Sequence, residues 1–363
     1  MPDPRPACLI TGTVSPYRRE PFRLLAEREG VEVIAFDEAG PPVPGLSVHR
    51  VTQAGAVRLA ASGRYRAVIA GLGGRLALPG AYLAARARRV PFVLWATVWA
   101  HPRTPAHALS VLPTRHLYRH ADAVATYGTH VSRHVERHRR QGNVVVAPQT
   151  VDVAHYGAPV AAPDRQEWRR RAGAREDDLL VLFVGRLERE KGLTVLLEAW
   201  RHADMAGRAR LAVAGDGPLA DAVSRAGDGV RGLGHVDAAE LPALYAAADL
   251  LVLPSIRTGT FVEPWGLVVN EAMLQSTPVI ASDAVGAAAG GLVGDGTTGF
   301  TFPAGDARAL AARLNALEAA PELRQSLGVA AREAALALTP DAWAEGMARA
   351  LALTGAGRSG GTC

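Results

Sequence analysis

The stretch DLLVLPSIRTGTFVEPWGLVVNEAMLQSTPVIASD, residues 249–283, decides the fold class of this chain. It contains two apolar runs, residues 249–255 and 277–282, that are continuous rather than alternating in polarity. Such runs are typical of parallel strands that are buried on both faces. The segment WGLVVNEAM between them predicts a helix that begins near residue 265. A strand, a helix and a second strand in this order predict a parallel α/β unit.

The same alternation of short apolar runs and longer helical patterns extends along nearly the whole chain. Other strand candidates are VEVIAF, AVIAG, PFVLW, DAVATYG and NVVVAPQ in the first half, and LLVLFVG and ARLAVAG in the second. A single core rarely grows beyond about 250–300 residues, so a chain of 363 residues predicts two domains. The expected fold class is therefore α/β, with two doubly wound parallel sheets.

The periodicity lapses in VDVAHYGAPVAAPDRQEWRRRAGAREDD, where Pro, Ala, Gly and charged residues dominate. This segment predicts the domain boundary, with one domain over residues 1–157 and a second over residues 158–340. A helix is predicted for residues 341–355, and it could pack on either domain. The Gly-rich end, residues 356–363, is predicted to be disordered.

Composition argues against several classes of protein. No apolar run approaches the roughly 18 residues of a membrane span, and the first residues lack the pattern of a signal peptide. The two cysteines, Cys8 and Cys363, lie near opposite ends of the chain, which argues against a disulfide framework or a cysteine-rich metal site. These features predict a cytoplasmic protein.

The charge is unevenly distributed between the two halves. Residues 1–155 hold 20 Arg and 10 Asp or Glu (+10), and residues 156–363 hold 19 Arg, one Lys and 25 Asp or Glu (−5), which together give the net charge of +5. A basic half indicates an anionic partner. An anionic membrane surface at the inner membrane face, an acidic acceptor and a merely solvated Arg-rich surface all fit this pattern. Nucleic acid is not expected, because interleaved basic and aromatic residues and recognition motifs are missing.

A pair of cations follows the predicted strand LLVLFVG. Arg186 comes directly after the strand, and Lys191, the only lysine of the chain, lies where the next helix opens. Two cations at a strand end beside a helix N-terminus form an anion site, because backbone N–H groups and the helix dipole assist them. The alternative is a surface salt bridge from Lys191 to Glu188 or Glu190.

Two carboxylates surround the start of the helix in the opening stretch. Glu263 precedes this helix, Gly266 would let the backbone approach a ligand, and Glu271 would face the same side as the helix start. Carboxylates accept hydrogen bonds from sugar and ribose hydroxyls, whereas cations and backbone amides hold phosphates. The alternative is an acidic N-cap at Glu263 followed by an exposed Glu271 on the helix.

The motifs FVGRLEREKGL, VAGDGPL, ADLLVLPS, EPWGLVVNEAM, TPVIASDAVG and DGTTGFTFPAGD occur in one fixed order. Together they closely resemble the retaining glycosyltransferases of family 4, over roughly residues 178–320. The resemblance implies the GT-B fold, in which two Rossmann-like domains face an interdomain cleft. It also implies that Arg186 and Lys191 hold the donor diphosphate, Glu271 the ribose and Glu263 the transferred sugar.

The resemblance extends to further donor-binding residues. Trp265, Gly266 and Leu267 would supply backbone donors near the sugar and phosphate, although the family usually has Phe in place of Trp265. In the first domain, Gly12 lies in a loop after the first strand where family members contact acceptor or phosphate, and His101 is the candidate for a histidine near the donor sugar.

The expected activity is transfer of a sugar, with retention, from a nucleotide-diphosphate sugar to the hydroxyl of a glycan, lipid-linked or small-molecule acceptor. The candidates for catalysis are Glu263, Arg186, Lys191 and His101. No cofactor or metal is expected, because Asp-x-Asp does not occur and His130, His134 and His138 lie among arginines, as on a solvated basic face. The alternatives are a nucleotide-sugar epimerase or phosphorylase, a dinucleotide-dependent dehydrogenase, and a non-catalytic nucleotide- or glycan-binding module.

Overall fold

A computed structural model of the protein describes residues 3–38, 40–100, 105–203, 205 and 207–357, without the side chains of residues 38 and 105–109. The chain divides into two compact units. Unit 1 comprises Met1–Thr150 and Thr339–Cys363, and unit 2 comprises Val151–Leu338. The chain leaves unit 1 after Thr150, whereas the sequence places this division after residue 157. Of the predicted disordered end, residues 358–363 lie outside the described residues.

In the described part of unit 1, seven parallel strands form one sheet in the order β3-β2-β1-β4-β5-β6-β7. The strands are β1 (Ala7–Thr13), β2 (Val31–Glu38), β3 (Val48–Arg50), β4 (Val68–Gly71), β5 (Phe92–Ala96), β6 (Ala123–Thr126) and β7 (Val144–Val146). The helices between them are α1 (Arg19–Glu29), α2 (Gln53–Ala60), α3 (Ala77–Arg88), α4 (Pro105–His120) and α5 (Thr129–Glu136). A 3-10 turn, Pro16–Arg18, precedes α1.

Unit 2 repeats this order in a sheet of six parallel strands among its described residues, β10-β9-β8-β11-β12-β13. Its strands are β8 (Leu179–Val184), β9 (Ala209–Ala214), β10 (Val230–Gly234), β11 (Leu250–Leu253), β12 (Val279–Ser282) and β13 (Gly299–Phe302). Its helices are α6 (Val153–Tyr156), α7 (Ala162–Arg171), α8 (Leu193–Ala203), α9 (Ala220–Ser224), α10 (Leu241–Ala247), α11 (Leu267–Leu274), α12 (Gly286–Ala289), α13 (Ala307–Glu318) and α14 (Pro321–Leu336).

Both units thus confirm the predicted doubly wound parallel sheets. In each sheet the chain starts at a central strand, moves outwards to one edge, and then returns to build the other side. The strands on either side of this reversal are β1 and β4 in unit 1, and β8 and β11 in unit 2. Ligands of such sheets bind beyond the carboxyl ends of these two strands.

The last helix, α15 (Pro340–Ala352), belongs to unit 1. Its Trp343 is fully buried and packs on Phe22 and Trp95, with ring centroids 5.4 and 5.5 Å apart. The sequence left this placement open, because an apolar helix face does not specify which apolar surface covers it. Within the described residues, no helix combines the length and the apolar character that crossing a bilayer requires.

Candidate functional site

The predicted donor residues lie beyond the carboxyl ends of β8 and β11, the two strands at the reversal point of unit 2. Arg186 and Lys191 lie in the loop that follows β8, and Glu263 lies in the loop that follows β11. Because β8 and β11 pair directly, both loops emerge from the same edge of the sheet. The structure therefore brings the predicted anion site and the predicted carboxylate to one end of unit 2.

Lys191 and Glu263 form an ion pair. Lys191 Nζ donates to Glu263 Oε2 at 2.5 Å, and the two side chains are 17% and 8% exposed. Ser255 Oγ donates to the same carboxylate oxygen at 3.1 Å, and Lys191 Nζ lies 5.2 Å from the centre of the Phe261 ring. The lysine thus points into the unit, to a residue 72 positions away in sequence, rather than along its own loop to Glu188 or Glu190.

The backbone holds the Lys191 loop against the end of β11. Ile256 N donates to Glu190 O at 2.9 Å. Gly192 has φ +72°, and a Cβ at this position would lie 1.8 Å from Pro254 O. Only glycine allows this left-handed conformation and this approach together. The position of Lys191 relative to Glu263 is therefore set by close packing as well as by charge.

Arg186 makes different contacts from those of the Lys191–Glu263 pair. Its Nη1 donates to Glu188 Oε1 at 2.7 Å, and its side chain is 64% exposed. It borders a cavity of about 270 Å³, together with Gly215, Asp216 and His235 at the ends of β9 and β10. The Arg186 guanidinium is therefore exposed beyond the carboxyl ends of the strands, next to this cavity.

The start of α11 presents backbone donors. Gly266 is the N-cap residue with φ +94°, and α11 begins at Leu267, two residues after the predicted start. The first N–H groups of a helix have no partner within the helix, and the dipole makes this end positive. Trp265 is buried and its Nε1 donates to Asn270 Oδ1 at 2.7 Å, so its indole holds the helix start in place.

Glu271 is a buried carboxyl group on α11. Tyr245 Oη donates to its Oε2 at 2.6 Å. Burial raises the pKa of Glu271 to about 7, although the hydrogen bond from Tyr245 stabilises the carboxylate. The alternative of an acidic N-cap followed by an exposed helix glutamate is therefore wrong, because the N-cap is Gly266 and Glu271 is buried.

The partners of the two glutamates were not predicted as site residues. Ser255 lies two residues after the end of β11, and Tyr245 lies on the alanine-rich helix α10. A serine at a strand end and a tyrosine on an apolar helix face carry no local signal of function. Only the proximity of α10 and α11 in the folded unit shows that Tyr245 belongs to the Glu271 environment.

The candidates of the first half have different outcomes. Gly12 lies at the carboxyl end of β1 and borders a cavity in unit 1. His101 lies outside the described residues. His130 is buried on α5 rather than on a solvated face, with its ring 5.4 Å from that of Trp99. Over the described residues, no three His, Cys, Asp or Glu side chains form a group that could hold a metal ion.

A larger cavity of unit 2, of about 480 Å³, lies at the other end of the strands, beyond their amino ends. Arg165, Arg169 and Arg170 of α7 line it together with Asp249, which precedes β11. Arg169 pairs with Asp249 at 3.0 Å and also donates to backbone carbonyls. Because it lies at the amino ends of the strands and its Arg169 and Asp249 pair with each other, we do not assign the function to this cavity.

Residues 164–334 match the family model of glycosyl transferases group 1. Over 171 residues the chain is 33% identical to the alpha-D-kanosaminyltransferase of Streptomyces kanamyceticus, covering 45% of this chain and 42% of that protein. Over 220 residues it is 36% identical to the D-inositol 3-phosphate glycosyltransferase of Kineococcus radiotolerans, covering 53% and 47%. The chain spans between 32% and 49% of the length of the curated relatives that it matches.

Among solved structures, Anabaena Alr3699/HepE in complex with UDP and glucose matches with a TM-score of 0.75 at 21% identity, over 96% of this chain and 99% of that one. WaaG, a glycosyltransferase involved in lipopolysaccharide biosynthesis, matches with a TM-score of 0.67 at 16% identity, over 96% and 100%. The two parallel sheets and these neighbours define a protein of the GT-B fold. Within it, the match to the family model of glycosyl transferases group 1 covers most of unit 2.

Proposed function

We propose that this protein is a retaining glycosyltransferase that transfers a sugar from a nucleoside-diphosphate sugar to an acceptor hydroxyl without a metal ion. The observation that carries the proposal is the Lys191–Glu263 pair, 2.5 Å apart and largely buried, beside the start of α11 at the reversal point of unit 2. The match to glycosyl transferases group 1 and the UDP and UDP-glucose complexes of Anabaena Alr3699/HepE support a donor of this class.

In this proposal the chain acts mainly by stabilising the leaving group. The diphosphate gains charge as the bond to the sugar breaks, and Lys191, Arg186 and the first amides of α11 are complementary to that charge. Glu263 would accept hydrogen bonds from the transferred sugar, and Glu271 from the ribose. Retention of configuration and the assignment to family 4 rest on the sequence resemblance.

Ion pairing gives Lys191 a defined position before any ligand arrives. Glu263, which also accepts a hydrogen bond from Ser255, holds the Lys191 ammonium in place, so little ordering is needed when a phosphate binds. Preorganised charges of this kind lose less free energy to reorganisation during the reaction. A lysine is a compact point charge, whereas an arginine is a planar fork that would not fit the same place.

The first experiment is a thermal-shift panel of nucleoside diphosphates on the full chain. A nucleoside diphosphate at about 100 times its Kd stabilises a protein by about 2.7 kcal/mol, which corresponds to a shift on the order of 5 °C for a unit of this size. We expect Lys191→Gln to lose most of this shift and Arg201→Gln, a change at an exposed arginine of α8, to keep it. Stabilisation by a nicotinamide dinucleotide alone would overturn the proposal.

Turnover tests the reaction itself. With the donor found in the panel, we expect Lys191→Gln to lower kcat by about 10²–10³, as for removal of one donor from a preorganised anion site. Chelators should leave the rate of the wild type unchanged. Product analysis by NMR gives the anomeric configuration and separates transfer to an acceptor from epimerisation or phosphorolysis.

The acceptor and the location of the protein remain predictions. Contact with an anionic inner membrane face fits the basic first half of the chain, where Leu83 on α3 and Leu112 on α4 are 64% and 74% exposed. The two helices are adjacent, since His116 Nε2 lies 3.3 Å from Tyr82 Oη. We expect cosedimentation with anionic but not with zwitterionic vesicles, and Leu83→Ser with Leu112→Ser should abolish it. Equal binding to both vesicles would contradict a contact that depends on charge.

A further inference from the structure

A cavity of about 180 Å³ lies at the carboxyl ends of β1, β4, β5 and β6 in unit 1. It is large enough to hold a phosphate or a carboxylate group. Gly12 and Gly71 border it, and they lie at the carboxyl ends of β1 and β4, the two strands at the reversal point of this sheet. The position is therefore the one at which a doubly wound sheet binds a ligand.

Arg18 borders this cavity and is 3% exposed. Its Nη2 donates to Tyr127 Oη at 2.5 Å and to Gln149 Oε1 at 2.7 Å, both of which are neutral acceptors. Its Cζ lies 4.5 Å from the centre of the Trp95 ring. Over the described residues, its Nη1 is buried and has no hydrogen-bond partner. A buried guanidinium is thus held by aromatic rings and neutral oxygens, with one donor nitrogen unused.

Other buried arginines of unit 1 use their donors inside the protein. Arg66 pairs with Glu29 at 2.9 Å, and each of its three guanidinium nitrogens donates to a backbone carbonyl. Arg139 donates to four backbone carbonyls. Arg66 and Arg139 have the surroundings of structural arginines, and Arg18 does not. A buried donor without a partner costs free energy, and a charged donor costs more than a neutral one.

A second donor in the same wall also lacks a partner. The indole Nε1 of Trp95 is buried without a hydrogen bond among the described residues. Thr97 adds a hydroxyl group to the lining, and none of the described lining residues is acidic. Two unused N–H donors, one of them on a cation, are complementary to a ligand that carries several acceptor oxygens and a negative charge.

We propose that this cavity binds one oxyanion, a phosphate or a carboxylate group, through Arg18 Nη1 and Trp95 Nε1. If the function proposed above holds, the oxyanion belongs to the acceptor, so the protein glycosylates an acceptor that carries a negative charge. The guanidinium would then position the acceptor and take no part in bond breaking. This assignment rests on the proposed function, whereas binding of the oxyanion itself does not.

Titration calorimetry of the full chain tests binding, with sodium phosphate and sodium acetate as separate probes and with the nucleoside diphosphate found in the panel present at saturation. We expect one saturable site for at least one probe, and binding about tenfold weaker or more in Arg18→Gln, since a charge-assisted hydrogen bond is lost. Arg58→Gln, a change at an exposed arginine of α2, should bind as the wild type does. Absence of saturable binding, or wild-type affinity in Arg18→Gln, overturns the proposal.

A second measurement does not depend on the folding of Arg18→Gln. In NMR spectra of the wild type, phosphate or acetate should shift one indole N–H resonance, and that resonance should be the one missing in Trp95→Phe. Shifts confined to other indoles would place the anion elsewhere and overturn the proposal. Arg18→Lys, which keeps the charge but not the fork, should fold and bind several-fold more weakly than the wild type.

Competition separates this inference from the proposed function. In the transfer assay, the oxyanion that binds should inhibit competitively against the acceptor, and Arg18→Lys should weaken this inhibition. If the nucleoside diphosphate displaces the bound phosphate, the site belongs to the donor and the acceptor assignment fails. If phosphate binds through Arg18 while no nucleoside diphosphate binds, the proposed function fails and the oxyanion site stands.

Discussion

Glu271 should make unit 2 less stable as the pH rises, and Glu271→Gln should remove this dependence. Burial raises the pKa of Glu271 from 4.5 to about 7 in the folded protein. Between these two values the folded state holds the proton and the unfolded state has released it, so the free energy of unfolding falls as the pH rises. This contribution is fully present below pH 4.5 and is lost as the pH passes through 7.

The size of the effect follows from the pKa difference. A rise of about 2.5 pKa units, at about 1.4 kcal/mol each, corresponds to about 3 kcal/mol, most of which is lost between pH 5 and pH 8. The amide of Glu271→Gln does not ionise, and its oxygen can still accept the hydrogen bond from Tyr245. The variant should therefore gain about 2–3 kcal/mol relative to the wild type over this pH range.

The assay is urea unfolding at pH 5 and pH 8, followed by tryptophan fluorescence. Trp168, Trp200 and Trp265 are buried in unit 2 and report its transition. Glu322→Gln removes an exposed carboxylate of α14 and serves as the control that should follow the wild type at both pH values. If the stability difference between Glu271→Gln and the wild type is the same at both pH values, the reasoning is refuted.

Two further substitutions test the packing of each unit. Gly192→Ala would put Cβ 1.8 Å from Pro254 O, so we expect a loss of nucleoside-diphosphate affinity in calorimetry. The control Gly305→Ala shares the positive φ but meets no described atom within 4 Å, so it should keep the affinity. Equal affinities in the two variants would show that the Lys191 loop moves freely. Arg66→Met removes the cation that pairs with the buried Glu29 carboxylate, and we expect this to cost about 3–5 kcal/mol in urea unfolding of unit 1. A loss of less than about 1 kcal/mol, as expected for a control change at exposed Arg58, would contradict this.

The sequence alone determined the fold class and the order of the central elements. Buried strands such as β8 and β11 are covered on both faces, so their continuous apolar runs are visible locally. The short edge strands β3, β10 and β13 were not predicted, because they are partly exposed and lack such runs. Trp343 likewise shows an apolar helix face, but the surface that buries it is built by distant segments of unit 1.

For the candidate site too, the sequence indicated some residues and only the tertiary structure showed their contacts. Strand–loop–helix patterns indicated Lys191, Glu263 and Glu271, because loops at the carboxyl ends of parallel strands carry the chemistry of such sheets. Only the tertiary structure decided that Lys191 pairs with Glu263, that Tyr245 covers Glu271 and that buried Arg18 donates to neutral oxygens. Periodicity reports which face of an element is buried, whereas these contacts join residues that are far apart in sequence, and only the packing of strands and helices brings them together.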